Sequence, residues 1–263
     1  MHIDLFDRYQ TRGSPIHDLE PRVKVVVTVL FILSNVLLPD GAWLAFGLSF
    51  TFVLLISLLA KLGPKYLLKR SLIALPFVLV AISAIFTQSG ESIGSLKIGS
   101  WILTISQNGL IRFASIVLRS WLSVQMAILL TATTQFPDLA HAFRHLRVPS
   151  VLVAIISFMY RYLFILSDEA LRLVQAREAR SARKPESKNS PSTWWKAKVT
   201  GNMVGQLFLR SYERSDRVYS AMLARGYDGN LLTLNPHAMH PKDWVMGALA
   251  VALLITLQVI ARI

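Results

Sequence analysis

The chain has 263 residues, 53% of them hydrophobic and 16% charged, with a formal net charge of +13 and no cysteine. So little charge at this length excludes an ordinary soluble domain, and the lack of cysteine excludes disulfides, thiolate metal sites and cysteine nucleophiles. Twelve of the 28 Lys and Arg fall between Arg172 and Arg225 and most others flank apolar runs. That distribution follows membrane topology and carries no nucleic-acid-binding motif.

In chain order, residues 1–22 form a polar, charged N-terminal segment unlike a signal peptide, so the first span is expected to direct insertion. Residues 23–134 read as a four-span transmembrane domain. The runs are Val23–Leu38, closed by Pro39-Asp40-Gly41, then Ala42–Ala60, Leu72–Gln88 with Pro76 near its start, and Gly109–Thr134. Between the third and fourth, Leu96–Ile105 reads as a short interfacial strand or turn. Basic residues mark the N-terminal segment and the loop Lys61–Arg70, which places both in the cytoplasm.

Residues 135–230 read as a cytoplasmic coupling domain. Val151–Met159 is apolar but bounded by Pro149 and Arg161, a length that argues for an interfacial or buried helix. Crossing there would also put the block Arg172–Arg225 outside. About five spans are therefore expected, with six as the alternative. The domain holds a short amphipathic helix at Pro137–Leu146, a long helix from Pro149 to about Arg183, and a second from about Thr193 to Ala224, stopped by Gly226. Residues 241–263 carry the last span. The fold class is all-α integral membrane.

The two long helices end in small residues beside arginines. In LVQAREARSAR, Ala176, Ala179 and Ala182 recur with Arg177, Arg180 and Arg183; in AMLARGYDG, Arg225 precedes Gly226, a residue suited to a helix C-cap. Small residues allow close approach, and guanidinium forks bond carboxylates or carbonyls in a groove. Surface helix ends with snorkelling arginines are the plainer alternative.

Other polar residues read as structural. His141 and His145 stand at i, i+4, but no third ligand completes a metal set, and they read as a solvated pair, as do His237 and His240. No metal is assigned to His2. Arg112 and Arg119 lie seven apart on one face of the fourth span and are candidates to face a partner subunit. Asn35 and Gln125 are candidates for inter-helix hydrogen bonds, and Asp168 and Glu169 for pairing with Arg161 or Arg172 one turn away. No phosphate loop, catalytic dyad or nucleophile elbow appears, so the chain reads as a non-enzyme.

Three stretches carry a resemblance: FDRYQTRGSPIHDLEPRVKVVV before the first span, Pro137-Asp138-Leu139 through Val148-Pro149, and SYERSDRVYSAMLARGYDG with Ala224-Arg225-Gly226. Over nearly its full length the chain resembles the transmembrane T component of energy-coupling factor (ECF) importers, of the CbiQ type of cobalt transporters. Without gaps, the first Ala-Arg-Gly signature of that family falls on Ala179-Arg180-Ser181, with Ser for Gly. Ala176-Arg177-Glu178 is the competing register, so Arg180 is preferred and Arg177 second.

The resemblance implies that each signature helix docks in a groove of one of two ABC ATPase (CbiO-like) subunits. It also implies a separate metal-binding membrane subunit (CbiM-like), a possible small CbiN-like subunit, and a place in the bacterial cytoplasmic membrane with the N-terminus inside. ATP would be used by the ATPases, with no cofactor bound by this chain. Cobalt uptake, linked to cobalamin biosynthesis, is the implied task. A nickel or vitamin importer of the same family is the alternative, and a stand-alone secondary transporter the rival from another class.

Overall fold

Proline decides where several helices of this protein begin. Pro21, Pro64 and Pro241 each sit in the first turn of a helix, where the missing N–H is no loss and the fixed φ favours the helix. The computed structural model describes residues 9–10, 12–83, 92–98, 101–180, 193–229 and 239–262. The elements are α1 (Pro21–Val36), α2 (Trp43–Leu59), α3 (Pro64–Ser71), a 3₁₀ turn (Leu72–Ala74), α4 (Leu75–Ala81), β1 (Ser92–Ile98), β2 (Trp101–Ser106), α5 (Gln107–Thr133), α6 (Phe136–His145), α7 (Ser150–Arg180), α8 (Thr193–Ala224) and α9 (Pro241–Ile260). Among the described residues the fold is all-α apart from one antiparallel hairpin, in which Leu96 pairs with Leu103. The strand expected near Leu96–Ile105 is thus two strands.

The chain divides into two compact units, residues 2–142 with 236–263, and residues 143–235. In the first, α1 packs between α5 and α9, and α2 lies against α5. Phe31 of α1 stacks on Phe52 of α2 with centroids 5.6 Å apart, and Leu122, Met126, Leu129 and Leu257 complete the centre. Gly247 lets α9 approach α1 closely: a Cβ there would stand 3.2 Å from Val23 Cγ1.

Polarity in this unit is reversed relative to a soluble protein. Ser34, Asn35, Ser49, Ser57, Ser115 and Gln125 are buried, while Leu33, Leu37, Leu44, Leu58, Leu79 and Leu249 are exposed. A hydrocarbon solvent produces this arrangement, because polar groups must find partners inside the bundle. Asn35 Nδ2 donates to Arg119 O at 3.0 Å and to Ser123 Oγ at 3.2 Å, and Gln258 Nε2 donates to Ser34 O at 2.6 Å. The role expected for Asn35 is observed.

Three helices are long and apolar enough to cross a membrane among the described residues: α5, α7 and α9; α2 is a shorter apolar helix. The expected third span, Leu72–Gln88, does not start as one helix. Pro76 falls in the first turn of α4, and the 3₁₀ turn joins α4 to α3; residues 84–88 lie outside the described residues. Helix α7 qualifies because its 31 residues give about 46 Å of continuous helix. The short apolar run expected at Val151–Met159 continues through Leu163, Phe164 and Leu166, past Arg161.

Candidate functional site

The second unit is built on α7 and α8, and it buries almost nothing by itself. Val153 and Ala154 are the buried residues of α7, and α8 has none. Val204, Phe208, Leu209 and Tyr212 of α8 are all at least 60% exposed. Helices that leave this much apolar surface uncovered are stable when another surface covers them.

Glu169 joins the two helices. Its carboxylate accepts from Arg214 Nη2 at 3.1 Å and lies 3.4 Å from Arg210 Nη1. The expected pairing within α7 is therefore corrected for Glu169: its partners are on the facing helix, 41 residues on for Arg210. Around this pin the two helices line a cleft of about 740 Å³.

The helix ends that the sequence singled out are exposed. Ala179 and Arg180 form the last residues of α7 with both side chains exposed, whereas Arg177 is half-buried and, like Arg180, lines the cleft. Ser181 lies outside the described residues. At the end of α8, Gly226 adopts φ +82°. Its N–H donates to Leu223 O at 3.0 Å, and the Tyr227 N–H donates to Met222 O at 3.0 Å. These two bonds are a Schellman cap with glycine in the left-handed position. Arg225, just before it, is held at the tip of the helix with its side chain exposed. Trp195 lines the same cleft as Arg180, and Arg225 lies thirty residues beyond Trp195 on one helix, about 45 Å along its axis.

A second polar site, missed as a unit by the sequence reading, lies in the first unit. Gln10 and the stretch Arg12–Lys24 are tied to the ends of three helices. The Arg12 guanidinium donates to Lys61 O after α2. The Gln10 N–H donates to Ala132 O at 3.1 Å, and Lys24 Nζ donates to Thr133 O at 3.1 Å and to His17 O at 2.8 Å. Asp243 caps α9 by accepting from the His240 N–H at 2.9 Å and also accepts from the Glu20 N–H at 3.2 Å. Ser14 Oγ and His17 Nδ1 share a 2.6 Å hydrogen bond, and burial lowers the His17 pKa from its ordinary 6.5. The Ser-Pro-x-His pattern was visible in the sequence; its partners Thr133 and Asp243, far away along the chain, were not.

Arg119 is also structural. Its Nη2 donates to Leu38 O and to Asp40 Oδ1, each at 2.6 Å, so it holds the α1–α2 turn against α5. Arg112 is exposed. Among the described residues no group of three or more His, Asp or Glu is placed to hold a metal ion.

A family model described as cobalt transport protein (CbiQ) matches residues 12–235, from the tethered N-terminal segment to beyond the capped end of α8. The chain belongs to the CbiQ family. Among relatives, the energy-coupling factor transporter transmembrane protein EcfT of Lactococcus lactis is 30% identical over 235 residues, 86% of this chain and 85% of that protein. The EcfT of Bacillus selenitireducens is 28% identical over 274 aligned positions, covering 98% of this chain and 96% of the relative. An uncharacterised protein of Methanocaldococcus jannaschii is 27% identical over 242 residues, covering 90% and 80%. This CbiQ-family chain is thus an ECF-type transmembrane transporter component and a multi-pass membrane protein.

Proposed function

We propose that this chain is the coupling scaffold of an ECF importer, that two ABC ATPase subunits grip the ends of α7 and α8, and that a separate membrane subunit captures cobalt. Arg180 and Arg225 are the docking residues, with Ala179, Ser181, Ala224 and Gly226 shaping the contacts and Arg177 the secondary candidate. The observation that carries the reading is the pair of exposed arginine-tipped helix ends on a unit with almost no core of its own. Their wide spacing suits two docking points on a closing ATPase dimer. Closure then moves the two helices relative to each other, and the exposed apolar face of α8 passes that motion to the capture subunit.

On this reading the N-terminus and residues 135–230 are cytoplasmic, with α7 lying on the inner side although its length would let it cross. The basic block Arg172–Arg225 supports that side. Cobalt as cargo rests on the family description alone. A nickel or vitamin importer would use the same scaffold.

The test is assembly and uptake. Replacing both Arg180 and Arg225 by Glu should abolish co-purification of the ATPases and ATP-dependent cobalt accumulation in vesicles holding the whole complex. Full recovery of the complex with normal uptake rejects the docking role. Uptake by this chain alone in liposomes without ATP would instead identify a stand-alone carrier.

A further inference from the structure

The cleft between α7 and α8 holds more cation than the coupling role needs. Arg172, Arg177 and Arg180 line it from one side, Arg210 and Arg214 from the other, and Glu169 is the one acidic residue among them. Five guanidiniums against one carboxylate leave a strong positive excess. Glu169 occupies Arg214 Nη2, but Arg214 Nη1 is buried and has no hydrogen-bond partner among the described residues. A guanidinium N–H without an acceptor is costly, and an anion drawn to these arginines would supply one.

The rest of the cleft is chemically different. Leu173, Val199 and Met203 give it an apolar wall. At its rim stands Trp195; Trp194 beside it is 80% exposed, and the exposed Lys196 and Lys198 follow. A tryptophan pair with lysines within the same turn is the composition of a segment resting at the headgroup level of a bilayer. A free phosphate or an acidic peptide would use the arginines and leave the apolar wall and tryptophans unexplained. An amphiphile with an anionic head uses both.

We propose that this cleft is a binding site for an anionic phospholipid, with its phosphate held by Arg172 and Arg214 and the first methylenes of an acyl chain against Leu173, Val199 and Met203. The cleft adjoins the α7 tip at Arg177 and Arg180, but the two phosphate-holding residues, Arg172 and Arg214, are not among those assigned to ATPase docking. Bound lipid would bridge α7 and α8 beside Glu169, so the splay of the two helices would depend on the lipid composition around the importer.

Native mass spectrometry of the full-length chain in uncharged detergent tests this, with phosphatidylglycerol and phosphatidylcholine of identical acyl chains as probes. Phosphatidylglycerol should be retained with roughly tenfold preference, lost in the Arg172→Gln/Arg214→Gln variant and largely kept in Arg172→Lys/Arg214→Lys. The wild-type chain gives an arm free of folding artefacts. In nanodiscs, hydrogen exchange in Ile165–Arg180 and Trp195–Arg214 should be slower with phosphatidylglycerol than with phosphatidylcholine. Equal retention of the two lipids, equal exchange, or a preference unchanged by the glutamine pair overturns the proposal. So does displacement of the lipid by millimolar inorganic phosphate or by an acidic peptide, which would make the cleft a site for those instead.

Discussion

The Glu20 backbone N–H donates to Asp243 Oδ1 across 223 residues of sequence, and the same carboxylate caps α9 through the His240 N–H. One buried side chain therefore fixes both the entry to α1 and the start of α9. Asp243→Ala removes both acceptors and leaves two backbone donors unpaired, at a cost of about 1–3 kcal/mol. The melting temperature of the purified protein should fall clearly. Asp243→Asn keeps one carbonyl acceptor and should fall less. Equal melting of all three would show that the bond does not hold the segment.

The His17 ring should make stability depend on pH. Its folded pKa lies below the ordinary 6.5, mainly through burial, with Lys24 adding to the effect. Well above 6.5 the ring is neutral in both states and folding is unaffected. As pH falls through 6.5 toward the folded value, the unfolded chain takes up a proton that the folded chain refuses, so stability is lost. A melting profile from pH 7.5 to 5 should therefore slope down toward acid. His17→Gln should flatten that part of the slope, and an unchanged slope in that variant would place the titration elsewhere.

Arg119 staples α5 to the α1–α2 turn. Arg119→Ala removes the one nitrogen that donates to both Leu38 O and Asp40, and it should lower thermal stability by about 1–3 kcal/mol. Uptake per folded complex should stay near wild type. A loss of uptake at normal stability would instead give Arg119 a direct part in contacting the capture subunit.

Gly226 stands in the left-handed region with nothing within 4 Å of where a Cβ would sit. Gly226→Ala therefore meets no clash, only backbone strain of about 1 kcal/mol. The last turn of α8 should fray, seen as faster hydrogen exchange at Tyr227, and ATPase recovery should weaken. Gly226→Asn tolerates the same φ and should lie between the two.

Topology can be read with one thiol, because the chain has no cysteine of its own. Ser220→Cys, exposed on α8, should react with a membrane-impermeant maleimide in inverted vesicles and stay unlabelled in intact cells. Labelling from outside would place α7 across the bilayer and reverse the proposed orientation.

Much of this architecture could be read from local signals. Pro149 and Gly226 mark the start of α7 and the end of α8 because proline and glycine act on their own backbone, and Phe136–His145 follows from its amphipathic spacing. What depends on distant partners was not legible. Glu169 has an arginine one turn away in sequence, yet it pairs with α8, which only the facing of two helices determines. Arg119 was read as a candidate contact because its acceptor, Leu38 O, is a carbonyl released by the end of α1 and carries no sequence mark. Leu72–Gln88 looked like one apolar run because hydropathy is blind to the break that Pro76 and the 3₁₀ turn impose.

The clasp at Asp243 also orders events during synthesis. Residues 12–24 leave the ribosome well before α9, which carries the carboxylate that secures Glu20. The ties to Lys61, Ala132 and Thr133 can close earlier, but the one at Glu20 waits for α9, and a chain stopped before α9 should yield this strap more readily to protease.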